Sequence, residues 1–223
     1  TNGQHADIVI VAAKTNLDSK GSSGISLFLV ETNIKGFSKG RNLEKLGLHS
    51  SDTSELFFDD LKLSKESVLG EIDKGFFAMM QELPRERLAL AVNAVAASRG
   101  MLDITSNYVK ERKAFGKPIA KFQNLRFKFA QMETKYRLNS SFIKECLNLF
   151  HNNSLDSTSA SMAKLASTET QCEIADTCLQ MFGGYGYMME YPISRAFADA
   201  RIQKIYGGTS EIMLELISRD TLN

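Results

Sequence analysis

Two different hydrophobic periods divide the chain. Up to about residue 69, short runs rich in valine, isoleucine and phenylalanine alternate with clusters of turn residues such as LDSKGSSG. The runs are DIVIVAAKT, ISLFLVE and SELFFDDLKLS, and they predict strands and hairpins. This region is too short to close a barrel or to form a sandwich by itself.

After the segment GEIDKG the apolar residues take up helical spacing. From Phe122 to Phe150 they fall alternately three and four positions apart, which predicts one helix with a narrow buried stripe. Helical patterns also cover residues 76–111, residues 156–182 and a last helix from about Thr209. The stripe predicted for the third helix comprises Leu155, Met162, Leu165, Cys172, Ala175, Leu179 and Phe182.

These patterns predict an α+β chain with two domains, a β domain at 1–72 and a helical bundle at 73–223, because long helices with short connections pack as bundles. Pro84 lies inside the first helical pattern. A proline there removes a backbone donor, so we expect it to kink or interrupt that helix.

Composition limits the classes of partner and of metal site that this chain can be expected to have. With 27 Lys and Arg against 26 Asp and Glu, the net charge of +1 gives no reason to expect nucleic acid. No apolar run approaches the roughly 18 residues of a membrane span. The three cysteines, Cys146, Cys172 and Cys178, lack metal-ligand spacing and predict free thiols rather than a metal site. The opening TNGQHADIVIVAAKT shows no targeting peptide, so we expect the chain to begin inside a domain.

The segment IYGGTSE precedes the last helix and is a candidate binding loop. Gly207 and Gly208 allow the backbone to approach a ligand closely, and the free N–H groups of a helix N-terminus favour anionic groups. The alternative is a plain turn in which Thr209 or Ser210 caps the helix.

Three segments resemble the acyl-CoA dehydrogenase family in the same order. They are KGFFAMMQELPRERLALA, ERKAFGKPIAKFQNLRFKFAQM and QMFGGYGYMMEYPISRAFADARIQKIYGGTSEIM. The resemblance is greatest for the long-chain branch and covers essentially all 223 residues, which match the C-terminal two-thirds of the family. It implies the remainder of a β-barrel-like middle domain followed by an all-α four-helix bundle, without the family's N-terminal helical domain. A chain without that domain is expected to be weakly active or inactive.

The resemblance also implies a reaction and a base. Many members carry the catalytic glutamate at the position of Gly207, whereas the long-chain and isovaleryl-type branches supply it from the central helix, where Glu86 matches. Glu86 would take the α-proton of an acyl-CoA while the β-hydrogen leaves as hydride to FAD, giving a trans-2-enoyl-CoA. The site would have to withdraw Glu86 from water, and the thioester carbonyl would bind a flavin ribityl hydroxyl and the N–H of Gly207. The alternative is that a glutamate between two arginines is an ordinary solvated charge.

Further residues acquire roles by resemblance alone. Those implied to contact FAD are Thr1, Arg112, Gln123, Gln180, Met181, Phe182, Gly183, Gly184, Thr209, Ser210 and Glu211. Those implied to contact acyl-CoA are Ser23, Gly24, Phe77, Pro84, Arg85, Arg87, Gly207 and Gly208. Arg112 suits a pyrophosphate, or else is a cation at a helix C-terminus. Since the family's flavin crosses a subunit interface, Arg112 and Gln123 would serve a neighbouring chain. The tyrosines and methionines of residues 185–191 are expected to be buried between helices and partner subunits.

The resemblance therefore predicts oxidation of long-chain fatty acyl-CoA in β-oxidation. It further implies a homotetramer built as a dimer of dimers, electron transfer to electron-transfer flavoprotein, and a mitochondrial matrix location in a eukaryote or a cytoplasmic one in a bacterium. Three alternatives stay open: an isovaleryl-type dehydrogenase of short branched substrates, an acyl-CoA oxidase, and a non-catalytic assembly or scaffold protein with the same fold.

Overall fold

The computed structural model describes residues 1–222, and its contacts cluster into two compact units, Thr1–Glu82 and the chain from Leu83 onward. In the first unit β1 (Ile8–Lys14) pairs antiparallel with β2 (Ile25–Glu31), with Ile8 opposite Glu31. Two further pairings complete the strands of this unit. They are β2 with the short β5 (Val68–Leu69), and β3 (Phe37–Asn42) with β4 (Ser54–Phe58), both antiparallel.

The strand predictions are partly right. β1, β2 and β4 fall inside the predicted runs, although β4 ends at Phe58 and the rest of SELFFDDLKLS is not strand. β3 was not predicted because its sequence, FSKGRN, lacks an apolar alternation.

Five helices and one small hairpin follow. The hairpin is formed by β6 (Lys113–Ala114) and β7 (Lys117–Pro118). The helices are α1 (Gly75–Glu111), α2 (Gln123–His151), α3 (Ser157–Phe182), α4 (Pro192–Arg201) and α5 (Ser210–Leu222). A β region followed by a helical domain confirms the predicted fold class, with α4 as an additional helix.

Helix α1 runs without interruption through Pro84, so the proline does not interrupt the helix, while a kink there stays a prediction. Among residues 1–222, α1 alone is long and apolar enough to cross a membrane by length and composition, and 39% of its most apolar window is buried. A core helix of a globular bundle meets the same criterion. The apolar stretch of α1 contains polar residues such as Asn93 and Ser98, which is usual for a core helix of a globular protein.

The core of the helical unit forms around α3, which packs against α2, α4 and α5. At one end the ring of Tyr108 stacks on that of Phe182 with centroids 4.0 Å apart. The larger core cluster contains Met101, Leu102, Val109, Met132, Ile174, Ala175, Cys178, Met181, Phe182, Ile193 and Ala200.

The predicted apolar stripe of α3 is right in the second half of the helix, where Ala175 and Phe182 are buried in the core and Cys172 and Leu179 pack against it, and wrong in the first half. Met162, assigned to that stripe, is exposed, and Leu165 is only half-buried. The buried positions instead include several polar residues, Ser161, Lys164, Ser167, Thr168 and Gln171. Small side chains let neighbouring elements approach α3 closely, so around Met162 and Leu165 the buried face lies on these polar residues instead.

Candidate functional site

The segment Tyr206–Ser210, here called the glycine loop, packs against helix α1. Gly207 and Gly208 have φ of +64° and +99°, a backbone region that favours glycine. A Cβ added to Gly207 would collide with Cδ1 of Leu90, and one added to Gly208 would lie 2.6 Å from Cε of Met213. Both positions therefore require glycine for conformation and for space.

Leu90 places the glycine loop near the predicted base. Glu86 precedes Leu90 by four residues in α1, so both side chains lie on the same side of that helix, one turn apart. Glu86 is exposed, however, and the expectation that this chain withdraws it from water is wrong for the described residues.

The arginines on either side of Glu86 differ in burial. Arg85 is exposed, while Arg87 is only 5% exposed and donates to the hydroxyl oxygens of Ser157 at 3.3 Å and Ser161 at 3.2 Å. Burial lowers the pKa of Arg87, and the negative charge of Glu86 acts in the opposite direction. Pro84 is half-buried.

Helix α3 anchors the glycine loop through two polar side chains that the sequence analysis missed. Nζ of Lys164 donates to the carbonyl oxygen of Gly208 at 2.7 Å. Oε1 of Glu169 accepts from the hydroxyl of Ser210 at 2.6 Å, and its other oxygen pairs with Lys204 at 2.6 Å. Lys164 and Glu169 lie in a run of small residues, and in such a run the sequence alone predicts that a lysine is a surface charge.

The electrostatics of these anchors follow from their burial and partners. Desolvation lowers the pKa of Lys164, and the nearby Glu169 opposes that change. Desolvation alone would raise the pKa of Glu169, but hydrogen bonds from Lys204 and Ser210 hold it below its usual value. Burial likewise raises the pKa of Tyr206, at the start of the glycine loop.

A second candidate site is a cavity of about 700 Å³ at the end of α1 and α3. It brings together Arg112 and the whole predicted segment 180–184, which are far apart in the chain. Gln123 is not among the lining residues, although its neighbour Phe122 is. The lining comprises Tyr108, Arg112, Ala114, Phe115, Ile119, Phe122, Leu125, Gln180, Met181, Phe182, Gly183, Gly184, Tyr185 and Met188.

The chemistry of this cavity fits an aromatic ligand that carries phosphate. The exposed guanidinium of Arg112 lies 5.6 Å from the ring centroid of Tyr185 and can form paired bonds to anionic oxygens. A Cβ added at Gly183 or Gly184 would meet no atom within 4 Å, so space lies open beside the backbone there. The cavity residues therefore fit part of a dinucleotide such as FAD.

The tyrosines and methionines of residues 185–191 are less buried than expected. Tyr187 is 84% exposed, and Tyr185, Met188 and Met189 are also exposed. Within this chain the expectation of burial between helices is therefore wrong for these four residues, while Tyr191 is half-buried.

The residues of the first unit that were predicted to contact FAD or acyl-CoA do not form one cluster. Thr1 and Ser23 are exposed, whereas Gly24 is buried with a φ of +71°, and its carbonyl accepts from the N–H groups of Thr15 and Asn16. Phe77 is 63% exposed and lines a hollow of about 490 Å³ beside Gly75.

The described residues offer neither a metal site nor a reactive thiol. Among residues 1–222 no group of three or more His, Cys, Asp or Glu side chains could hold a metal ion. All three cysteines are free, and burial raises the pKa of Cys178 to about 11. Burial also raises the pKa of Cys146 and Cys172, so it disfavours the thiolate form that nucleophilic attack requires.

Comparison with protein families agrees with this geometry. Residues 1–61 match the acyl-CoA dehydrogenase middle domain, and residues 73–222 match the acyl-CoA dehydrogenase C-terminal domain. The chain belongs to the acyl-CoA dehydrogenase family. This is a family of FAD-dependent oxidoreductases, so the resemblance found in the sequence is confirmed.

Individual relatives refine the comparison. The chain is 51% identical to the mitochondrial long-chain specific acyl-CoA dehydrogenase of Sus scrofa over 224 residues, which are 100% of this chain and 52% of that protein. It is 38% identical to the mitochondrial isovaleryl-CoA dehydrogenase of Oryza sativa, covering 99% of this chain and 54% of the relative. An acyl-CoA dehydrogenase from Geobacillus kaustophilus superposes with a TM-score of 0.97 at 42% identity, covering 99% of this chain and 58% of that one. The chain thus spans about half the length of the relatives it matches.

Proposed function

We propose that this chain supplies the base, the carbonyl-binding loop and part of the flavin site of an acyl-CoA dehydrogenase that acts on long-chain substrates. One observation carries the proposal: the glycine loop packs on α1 at Leu90, one helical turn from Glu86. A base on α1 and a carbonyl donor in the glycine loop can therefore act on the same thioester.

Glu86 would accept the α-proton of the bound acyl-CoA. In the described part of the chain, no acceptor is recorded for the backbone N–H of Gly207, so this N–H is available to the thioester oxygen. Such a donor stabilises the negative charge that develops on that oxygen as the proton leaves. Bound FAD would supply the acceptor for the hydride from the β-carbon, and the product would be a trans-2-enoyl-CoA.

The exposure of Glu86 sets a requirement on substrate binding. A solvated carboxylate is a weak base toward a carbon acid, so the acyl chain itself has to displace water from Glu86 when it binds. Pro84 and Arg85 directly precede Glu86 in α1 and would form the nearest part of that acyl site.

Within the helical unit the flavin contacts would fall in two places. The phosphate and adenine portion would be held by Arg112, Gln180, Met181, Phe182, Gly183 and Gly184, with Gln123 beside them. The portion near the substrate would be held by Thr209, Ser210 and Glu211. Thr1, in the first unit, is proposed as a separate flavin contact. In that arrangement Arg112 would neutralise the pyrophosphate with paired hydrogen bonds. At least a dimer would follow if the cavity residues serve the flavin of a neighbouring chain, and the proposed homotetramer would be a dimer of such dimers.

Relatives support the substrate and partner assignments. Long-chain specificity is supported by the 51% identity to the Sus scrofa enzyme, and the mitochondrial location by the same relative's name. Electron-transfer flavoprotein as acceptor is supported by a 40% identical relative named as a subunit of a caffeyl-CoA reductase-Etf complex. Isovaleryl-type specificity is the second candidate, since the Oryza sativa relative is also similar over the whole chain.

The test uses a hybrid in which this chain replaces the matching 224-residue region of the Sus scrofa relative. Bleaching of the flavin absorbance is followed on mixing with palmitoyl-, octanoyl-, butyryl- or isovaleryl-CoA. The proposal expects the fastest bleaching with palmitoyl-CoA. Fastest bleaching with isovaleryl-CoA would favour the second candidate, and bound flavin with no bleaching by any thioester would favour a scaffold role.

A further inference from the structure

Lys164 is a buried cation that donates a hydrogen bond to the glycine loop. Its side chain is 0% exposed, and its ammonium donates to the carbonyl oxygen of Gly208 at 2.7 Å. Removing an ammonium from water is unfavourable unless the protein replaces the lost hydrogen bonds. An apolar residue of similar length would fill this position in the core, so the bond to the loop is the feature that distinguishes a lysine here.

The glycine loop needs such a bond. Two consecutive residues with positive φ gain nothing from side-chain packing, and glycine loses more conformational freedom on ordering than any other residue. Upstream, the N–H groups of Ile205 and Tyr206 are bonded to the carbonyl of Ile202. Downstream, Ser210 is bonded to Glu169. Between these points, the bond from Lys164 fixes the peptide plane that follows Gly208.

We propose that Lys164 is a positioning residue for the thioester carbonyl site, with Glu169 as its second anchor on the same helix. Its ammonium holds the Gly208 carbonyl, and through the peptide that joins the two glycines it limits the orientations open to the N–H of Gly207. This inference rests on the proposed function, because the orientation matters only if that N–H receives a thioester oxygen. The competing account is that Lys164 contributes to stability alone.

The test measures the order of the glycine loop directly by amide hydrogen exchange and mass spectrometry on this chain. The variant is Lys164→Met, and the matched control is Thr168→Val, a fully buried position one turn further along α3 whose hydroxyl bonds to the carbonyl of Lys164 and not to the loop. We expect Lys164→Met to accelerate exchange across residues 205–213 by about tenfold or more, with the middle of α3 unchanged. The control should leave loop exchange within about twofold of the unaltered chain.

Unchanged loop exchange in a folded Lys164→Met variant would overturn the proposal. If that variant loses its helical circular dichroism, Lys164→Gln carries the same test, because a glutamine is polar but too short to keep the lysine's bond. In the hybrid enzyme, Lys164→Met should lower kcat per bound flavin. A loss of flavin content or thermal stability with kcat per flavin unchanged would establish the competing account. Loop exchange needs no substrate, so it can succeed or fail independently of the activity of Glu86.

Discussion

Leu90 and Gly207 touch so closely that the glycine has no room for a methyl group. This contact joins the helix that carries Glu86 to the loop that carries the free N–H.

Gly207→Ala should destabilise the protein by about 1–3 kcal/mol, because alanine disfavours a φ of +64° and its methyl group would meet Leu90. Thermal and urea unfolding measure the change. Gly184→Ala is the matched control, since its added Cβ meets no atom within 4 Å, and it should stay within about 0.5 kcal/mol of the parent. Equal stability of the two variants would show that the contact is not as tight as described.

Asp156 caps α3, the helix that anchors the loop. Its Oδ1 accepts from the backbone N–H of Ser159 at 2.7 Å, and its Oδ2 accepts from the hydroxyl of that residue at 2.6 Å. Asp156→Ala should cost about 1 kcal/mol of unfolding free energy at pH 7, whereas Asp156→Asn should retain most of the cap. A full loss in the asparagine variant would show that charge rather than capping stabilises this helix end.

The same bonds give the cap a pH dependence. Hydrogen bonds from Ser159 hold the pKa of Asp156 below its ordinary value of 3.8. The folded state therefore binds the proton less readily than the unfolded state, so this contribution is complete above pH 3.8 and is lost as the pH falls through the lower folded pKa. Urea unfolding between pH 7 and pH 2 should show the parent's advantage over Asp156→Ala shrinking only in that acid range. An advantage that shrinks above pH 5 would contradict this assignment.

Arg112→Leu should weaken FAD binding by about 10- to 100-fold, because charge-assisted hydrogen bonds to phosphate oxygens would be lost. Titration of the hybrid's flavin-free form with FAD, followed by fluorescence, measures the affinity. Lys144→Met removes the same charge from α2 at a residue outside the cavity and should leave the affinity unchanged. A similar loss in both variants would mean that only general electrostatics attracts the flavin.

Hydrophobic period was enough to predict the long helices of this chain, and it failed where side chains are small or polar. Helix α4 was not predicted although Ile193, Phe197 and Ala200 are spaced at helical intervals, because its ten residues are fewer than the window over which a period is read. Lys164 could not be predicted as buried, because the carbonyl that compensates its charge belongs to a residue distant in sequence. Tertiary packing, rather than local propensity, also brings Arg112 to Gln180.

The resemblance pointed to Glu86, but exposure depends on what surrounds a residue. Sequence reasoning expected a base withdrawn from water, and the described chain leaves it exposed. The same resemblance named Arg87, whose burial against the serines of α3 could not be foreseen from a helix position between two charges.

The central claim is that Glu86 removes the α-proton, and single-turnover bleaching of the hybrid's flavin by palmitoyl-CoA tests it most directly. Glu86→Gln should keep flavin content and acyl-CoA affinity while bleaching at least about 100-fold more slowly. Glu82→Gln, one turn earlier in α1, should bleach at the parent rate. Parent-like bleaching by Glu86→Gln would contradict the assignment of Glu86 as the base.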